Sequence, residues 1–184
     1  MIDWSGEYIS YGDWLAEPRK SVPFDTSRIL VRQIPSKLPY SVNASFTEQQ
    51  YINDINSMVI FNFAEKYNPN YVLGVINSKL ISYWFNYTFN KFQRKIFPQF
   101  KVNELARFPI HPADKNQQRI IVELVDKIME LKKKLKDIEE NSNDWEKIKS
   151  QIEVIDKKID EEVYKLYGLS GDEVGIIEDA SPKN

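Results

Sequence analysis

Apolar residues recur at Ile121, Leu124, Ile128, Leu131, Leu135 and Ile138, separated by alternating steps of three and four. A polar break, Asn141-Ser142-Asn143-Asp144, interrupts them, and the same rhythm resumes at Trp145, Ile148, Ile152, Ile155 and Ile159. Steps of three and four keep side chains on one stripe of an α-helix, and their alternation makes a heptad seam. The pattern predicts two helices joined by a short turn and therefore antiparallel, each roughly 40 Å long at about 1.5 Å per residue. Asp114 with Gln117 three residues on makes a capping box for the first helix. Asp144 can cap the second, and Gly168 and Gly171 fit its end. Lysine and glutamate runs on the flanks read as solvated faces.

Upstream the pattern changes. Arg28–Ile34 and Ser57–Phe63 are β-branched or aromatic runs bounded by turn residues, and Tyr40–Phe46 offers a third strand beside them. From Tyr71 to about Thr88, Val72, Leu73, Ile76, Leu80, Tyr83, Trp84 and Tyr87 fall at helical spacing. Asn68-Pro69 opens that helix, Asn as the cap and Pro at the first helical position. Lys95–Pro109 reads as two short extended pieces interrupted by proline.

Helix breakers divide the chain. Eight of nine prolines lie at or before Pro112, and no glycine occurs between Gly74 and Gly168. Residues 113–167 therefore hold neither breaker, whereas everything before them is punctuated often. The expected fold class is α+β: a small mixed domain over residues 1–112, a long antiparallel helical hairpin over 113–169, and a flexible C-terminal tail over 170–184.

Composition removes much chemistry. The 184 residues include no cysteine and one histidine, His111, which excludes disulfides, thiolate zinc sites, cysteine nucleophiles and multi-histidine metal clusters. His111, between Pro109 and Pro112, reads as the end of the globular part. No apolar run approaches the ~18–20 residues needed to span a bilayer, and no basic-then-apolar leader follows Met1. The expectation is a cytoplasmic protein without a membrane partner. The net charge of −2 hides an asymmetry: residues 1–110 carry 12 Lys+Arg against 9 Asp+Glu (+3), and residues 111–184 carry 13 against 18 (−5). Within residues 79–107, six basic residues face only Glu104.

Two catalytic motifs fail. Asn68-Pro69-Asn70-Tyr71 approaches the Asn-Pro-Pro-Tyr element of amino-methyltransferases, but its third residue is Asn and no glycine-rich cofactor loop or acidic ribose ligand accompanies it. Asp144-Trp-Glu-Lys147 and Glu123 with Lys127 mimic nuclease groupings, yet both lie on the heptad helices, where such pairs face solvent. What remains is basic residues interleaved with aromatics. Cations there contact phosphates, and Gln or Arg reach base edges in the major groove. Two sets are candidates for DNA contact: Lys91, Gln93, Arg94, Lys95 and Lys101, and Arg28, Arg32, Gln33, Lys37 and Asn43.

The ordered motifs carry a resemblance. Tyr-Val-Leu-Gly-Val-Ile-Asn-Ser-Lys-Leu (71–80), Phe-Lys-Val-Asn-Glu-Leu-Ala-Arg-Phe-Pro-Ile (100–110), the helix at Gln117–Ile128 and the stretch Ile159–Leu169 together resemble the TaqI-like C-terminal specificity domain over roughly residues 7–178. This is the target recognition domain of restriction–modification adenine methyltransferases, related to half of a type I specificity subunit. The resemblance implies double-stranded DNA as partner and a separate methyltransferase domain or subunit, sometimes with an endonuclease. It implies that S-adenosylmethionine belongs to that other domain, and that this chain holds no cofactor and no catalytic residue. Asn77–Leu80 and Pro109-Ile110 read as scaffold within it. The hairpin then spaces the recognition domain from its partner. Two rivals stand beside this reading: a coiled-coil scaffold that binds protein and not DNA, and a complete methyltransferase or nuclease.

Overall fold

In the computed structural model, which describes residues 10–15, 18, 23–54, 56–91 and 100–180, a three-stranded sheet is followed by helices. The strands are β1 (Arg28–Arg32), β2 (Ala44–Thr47) and β3 (Ser57–Ile60), in the order β2-β1-β3 and antiparallel throughout. Leu30 stands opposite Ser45 on one side and Val59 on the other. Side chains alternate across a strand, so Ile29 and Val31 point into the core, both fully buried, while Leu30 and Arg32 lie on the open face. The helices are α1 (Pro69–Ile76), α2 (Lys79–Thr88), α3 (Val102–Leu105), α4 (Lys115–Leu135), α5 (Asn143–Leu166) and α6 (Gly171–Asp179). The class is α+β, and α4 and α5 form the helical hairpin.

Asn68 caps α1, its side chain accepting from the Asn70 N–H, with Pro69 in the first turn. The helix expected to run on to Thr88 instead breaks at Asn77-Ser78. Both residues have side-chain work outside a helix. The Asn77 carboxamide accepts from the Ala44 N–H at 2.8 Å and donates to the Ala44 carbonyl at 3.1 Å, so it pairs with β2 as a neighbouring peptide would. Ser78 caps α2 by accepting from the Ile81 N–H. The stretch expected to be extended up to Pro109 contains a helical turn instead, α3, where the Glu104 carboxylate accepts the Lys101 N–H at 2.9 Å. Its first residues, 95–99, lie outside the described set.

The capping box of Asp114 and Gln117 opens α4. That helix stops at Leu135, short of Ile138, and Ser142 rather than Asp144 caps α5, its hydroxyl accepting from the Trp145 N–H. Gly168, at φ +68°, ends α5 in the left-handed conformation, and the Leu169 N–H closes back on the Tyr164 carbonyl at 3.1 Å. The buried stripe is wider than the predicted seam. It takes in Val125 and Gln118 beside Ile121, Ile128 and Leu131, because α4 packs on α1 as well as on α5. Gly74 makes that crossing possible: a Cβ there would lie 2.6 Å from Ile121 Cγ2 and 3.0 Å from Val125 Cγ2. The core accordingly runs without interruption from Ile29 and Val31 through Val75 to Ile121 and Ile159, across the expected boundary at residue 112.

The expected flexible tail is a correction. Ser170 and Glu173 form a capping box, and Gly171–Asp179 is helix α6. It is held by Glu178, which accepts from Lys79 Nζ at 2.6 Å and from the Tyr164 hydroxyl at 2.8 Å. Beneath it Asp160, 2% exposed, accepts the Lys79 N–H at 2.8 Å and the Tyr40 hydroxyl at 2.8 Å. Burial pushes the Asp160 carboxyl up to about 6, against the opposing pull of the Lys79 N–H and Tyr40. Burial and the neighbouring Asp160 also raise the Tyr40 phenol, keeping it a proton donor. One carboxylate thus joins the β1–β2 loop, the start of α2 and the second arm of the hairpin.

Candidate nucleic-acid interface

The end of β1 is a meeting point. Arg32 donates its N–H to the Asn43 carbonyl at 2.9 Å. Gln33 donates to the Asn56 carbonyl at 2.7 Å and accepts from the Phe100 N–H at 2.8 Å, which brings Lys101 alongside. Between Gln33 and Asn43 the chain folds back through the Ser36 N–H to Ser41 carbonyl bond, 2.8 Å, with a cis peptide at Leu38-Pro39. Lys37 sits exposed on this loop, and the Asn43 side chain ties the loop down by donating to Ser36 Oγ at 3.0 Å.

Five of the ten candidate residues are therefore placed together at one end of the sheet: Arg32, Gln33, Lys37, Asn43 and Lys101. Arg32, Lys37 and Lys101 are exposed. Among the described residues none of the three is in an ion pair. Arg32 and Asn43 share a shallow depression of about 260 Å³ with Leu30, Ser45 and Ser57. It offers a guanidinium fork, a carboxamide and two hydroxyl-bearing residues on a surface formed by all three strands. Such groups suit base edges and phosphate oxygens alike.

Two candidates are corrected. Arg28 is fully buried, its guanidinium donating to the Thr26 carbonyl at 2.9 Å and the Tyr51 carbonyl at 2.6 Å. It organises the loops at the opposite end of β1 and offers no surface to a ligand. Lys91 is 5% exposed, and its ammonium lies 2.7 Å from both Glu104 carboxylate oxygens and over the Phe85 ring. The Glu104 carboxylate and the ring enclose the ammonium and leave it little surface for a ligand. Gln93, Arg94 and Lys95 lie outside the described residues, and the residues flanking that gap, Lys91 and Phe100, are both buried. The aromatics among the basic residues are largely structural: Phe85, Phe100 and Phe108 pack on one another with centroids 4.5–6.0 Å apart.

Sequence reasoning missed Ser45 and Ser57. Each lies next to a guanidinium or an aliphatic neighbour only through the strand register, Ser45 opposite Leu30 and Ser57 opposite Arg32. A register between three strands has no local signal in the chain. Among the described residues no group of three or more His, Asp or Glu side chains is placed to hold a metal ion. No helix among them is long and apolar enough to cross a membrane.

The model of the TaqI-like C-terminal specificity domain matches residues 1–110, more than half of the chain. The chain belongs to that family. No curated protein and no solved structure matches it. The sheet, α1, α2, α3 and the five clustered residues all fall inside the matched span of the specificity domain. The hairpin and α6 fall beyond it, so the family match is narrower than the resemblance read along residues 7–178. Of the motifs carrying that resemblance, Gln117–Ile128 and Ile159–Leu169 lie outside the match. Asn77 to Leu80, inside it, hold the fold: Asn77 pairs β2, Ser78 caps α2 and the Lys79 N–H reaches Asp160.

Proposed function

We propose that the chain is the sequence-specific DNA target recognition module of a restriction–modification adenine methyltransferase or endonuclease. In this reading it positions a separate catalytic domain, the one that binds S-adenosylmethionine, on duplex DNA. The observation that carries the proposal is the exposed cationic end of the sheet, Arg32 with Lys37 and Lys101 beside Asn43, within the span of a specificity domain. Extracting a base for methylation requires the duplex to be held while another domain performs the chemistry. A rigid sheet end with a forked donor and a carboxamide is equipped for the holding. The hairpin is rooted in the same core as the sheet, and it is close to balanced in charge, with 12 Lys+Arg against 14 Asp+Glu over residues 113–169.

The test is a titration of the chain against duplex DNA over a range of salt. Arg32→Glu with Lys101→Glu should weaken binding and flatten the plot of log affinity against log salt by ~0.9 for each phosphate no longer neutralised. If Arg32 reads a base edge, Arg32→Ala on the recognised sequence should cost about 1–3 kcal/mol, with little effect on unrelated duplex. A folded double variant with unchanged affinity and slope would refute this assignment. Arg28→Lys should leave the slope alone, since Arg28 is internal to the fold.

A further inference from the structure

A second cleft, of about 520 Å³, opens between β2, α1 and the hairpin. Leu73, Val125 and Ile128 give it an apolar floor, and Lys132, Lys133 and Lys136 line one rim. The opposite rim is the outer edge of β2. We propose that this cleft docks an extended, acidic polypeptide segment of a partner protein, added to β2 as a further strand with its carboxylates on the three lysines.

The backbone of β2 supplies the first argument. The Arg32 N–H to Asn43 carbonyl bond fixes the alternation of the ladder, so Asn43, Ser45 and Thr47 turn their backbone groups toward β1. Those of Ala44 and Phe46 point outward. At Ala44 both outward groups are taken by the Asn77 carboxamide. At Phe46, one repeat further on, the N–H and carbonyl have no hydrogen-bond partner among the described residues, and Phe46 lines the cleft. The edge is thus completed at one repeat by a side chain imitating a strand and left open at the next, the arrangement that strand addition uses.

Charge supplies the second argument. Three lysines face two acids in the cleft, Asp156 and Asp160. Asp160 is already engaged by Tyr40 and Lys79. Asp156 is held by burial above the usual carboxylate range, with Lys132 opposing that shift. The remaining lysine charge calls for carboxylates, while the floor calls for apolar side chains. A strand alternating the two presents them on opposite faces. A nucleic-acid backbone would satisfy the lysines but leave the apolar floor and the Phe46 amide unmet. The site lies at the outer edge of β2 and adjoins the open sheet face assigned to the duplex, the two sharing Ala44 and Ser45. Its test is read at Phe46, which lines the cleft alone of the two, and does not depend on DNA binding.

The probe is an acetylated and amidated hexapeptide of alternating glutamate and valine, titrated into the full chain labelled with nitrogen-15. The amides of Phe46 and its neighbours in β2 should shift. The same peptide with lysine in place of glutamate should bind at least tenfold more weakly. Lys132→Glu, Lys133→Glu and Lys136→Glu together should abolish the shifts, and the corresponding glutamine variant, with the same helicity, should weaken them. No shift in Ala44–Thr47 at millimolar peptide, or equal binding of the two peptides, would overturn the proposal. So would a short duplex that moves Phe46 where the acidic peptide does not.

Discussion

Replacing Gly74 by leucine should unseat the hairpin at a cost of about 3 kcal/mol, at the upper end of what overpacking a filled core produces. In a chain of this length that corresponds to a fall in the thermal midpoint of roughly 6–12 °C. The cause is geometric. Even a Cβ would meet Ile121 Cγ2 at 2.6 Å and Val125 Cγ2 at 3.0 Å, and both residues are buried. Gly74→Ala should be milder, because alanine gains about 1 kcal/mol of helix propensity over glycine and offsets part of the clash. Thermal and denaturant melts of the two variants check the ordering. A leucine variant as stable as the parent would show that α1 and α4 do not cross at this residue.

The second large effect centres on Asp160. Asp160→Ala should cost about 2–3 kcal/mol, because the half-buried Lys79 N–H and Tyr40 hydroxyl are each deprived of their acceptor, at the lower end of about 1–3 kcal/mol apiece. Asp160→Asn keeps an oxygen in place and should cost less. The two variants also differ in their response to pH. The Asp160 carboxyl rises from an ordinary 3.8 in the unfolded chain to about 6 in the folded one. Between those values the folded protein binds more protons than the unfolded, so its stability falls as pH rises from about 4 to about 6. The slope is about 1.4 kcal/mol per unit of difference. Asp156, raised by burial, acts in the same direction. Glu178 acts in the opposite one: burial works to raise it, but Lys79 and Tyr164 hold it below the usual range. Urea midpoints measured from pH 4 to pH 7 should show the decline in the parent and a flatter profile in Asp160→Asn. A parent that gains stability across that interval would contradict the account.

The elements legible in the chain were those with strong local signals. The heptad rhythm located α4 and α5, Asp114 with Gln117 located the start of α4, and Asn68-Pro69 located the start of α1. The missed elements divide by cause. Helix α6 carried a readable signal, Ser170 with Glu173 three residues on, obscured by the glycines at 171 and 175. The break at Asn77-Ser78 was hidden because the apolar spacing runs straight through it. What divides the helix is a pairing with Ala44, 33 residues earlier. The burial of Arg28 and Lys91 was illegible for a similar reason, since their partners are carbonyls and a carboxylate set by tertiary packing. At the candidate interface, residue types were readable but convergence was not. Arg32, Asn43 and Lys101 meet only because Asn43 and Phe100 both hydrogen-bond to the end of β1.

Three hydrogen bonds stitch the place where the family match stops. The Tyr71 hydroxyl donates to the His111 carbonyl at 2.7 Å, the His111 N–H donates to the Tyr167 hydroxyl at 3.1 Å, and that hydroxyl donates to the Pro109 carbonyl. Burial pushes the Tyr167 phenol up to about 12, so the stitch stays protonated across the physiological range. Swapping such modules between proteins by cutting after residue 110 would sever the bonds from Tyr71 to His111 and from Tyr167 to Pro109 and strip the apolar back of α1 to water. The smallest portable piece that keeps its own interior therefore extends through Ala180, and a graft made at the shorter boundary should precipitate rather than recognise anything.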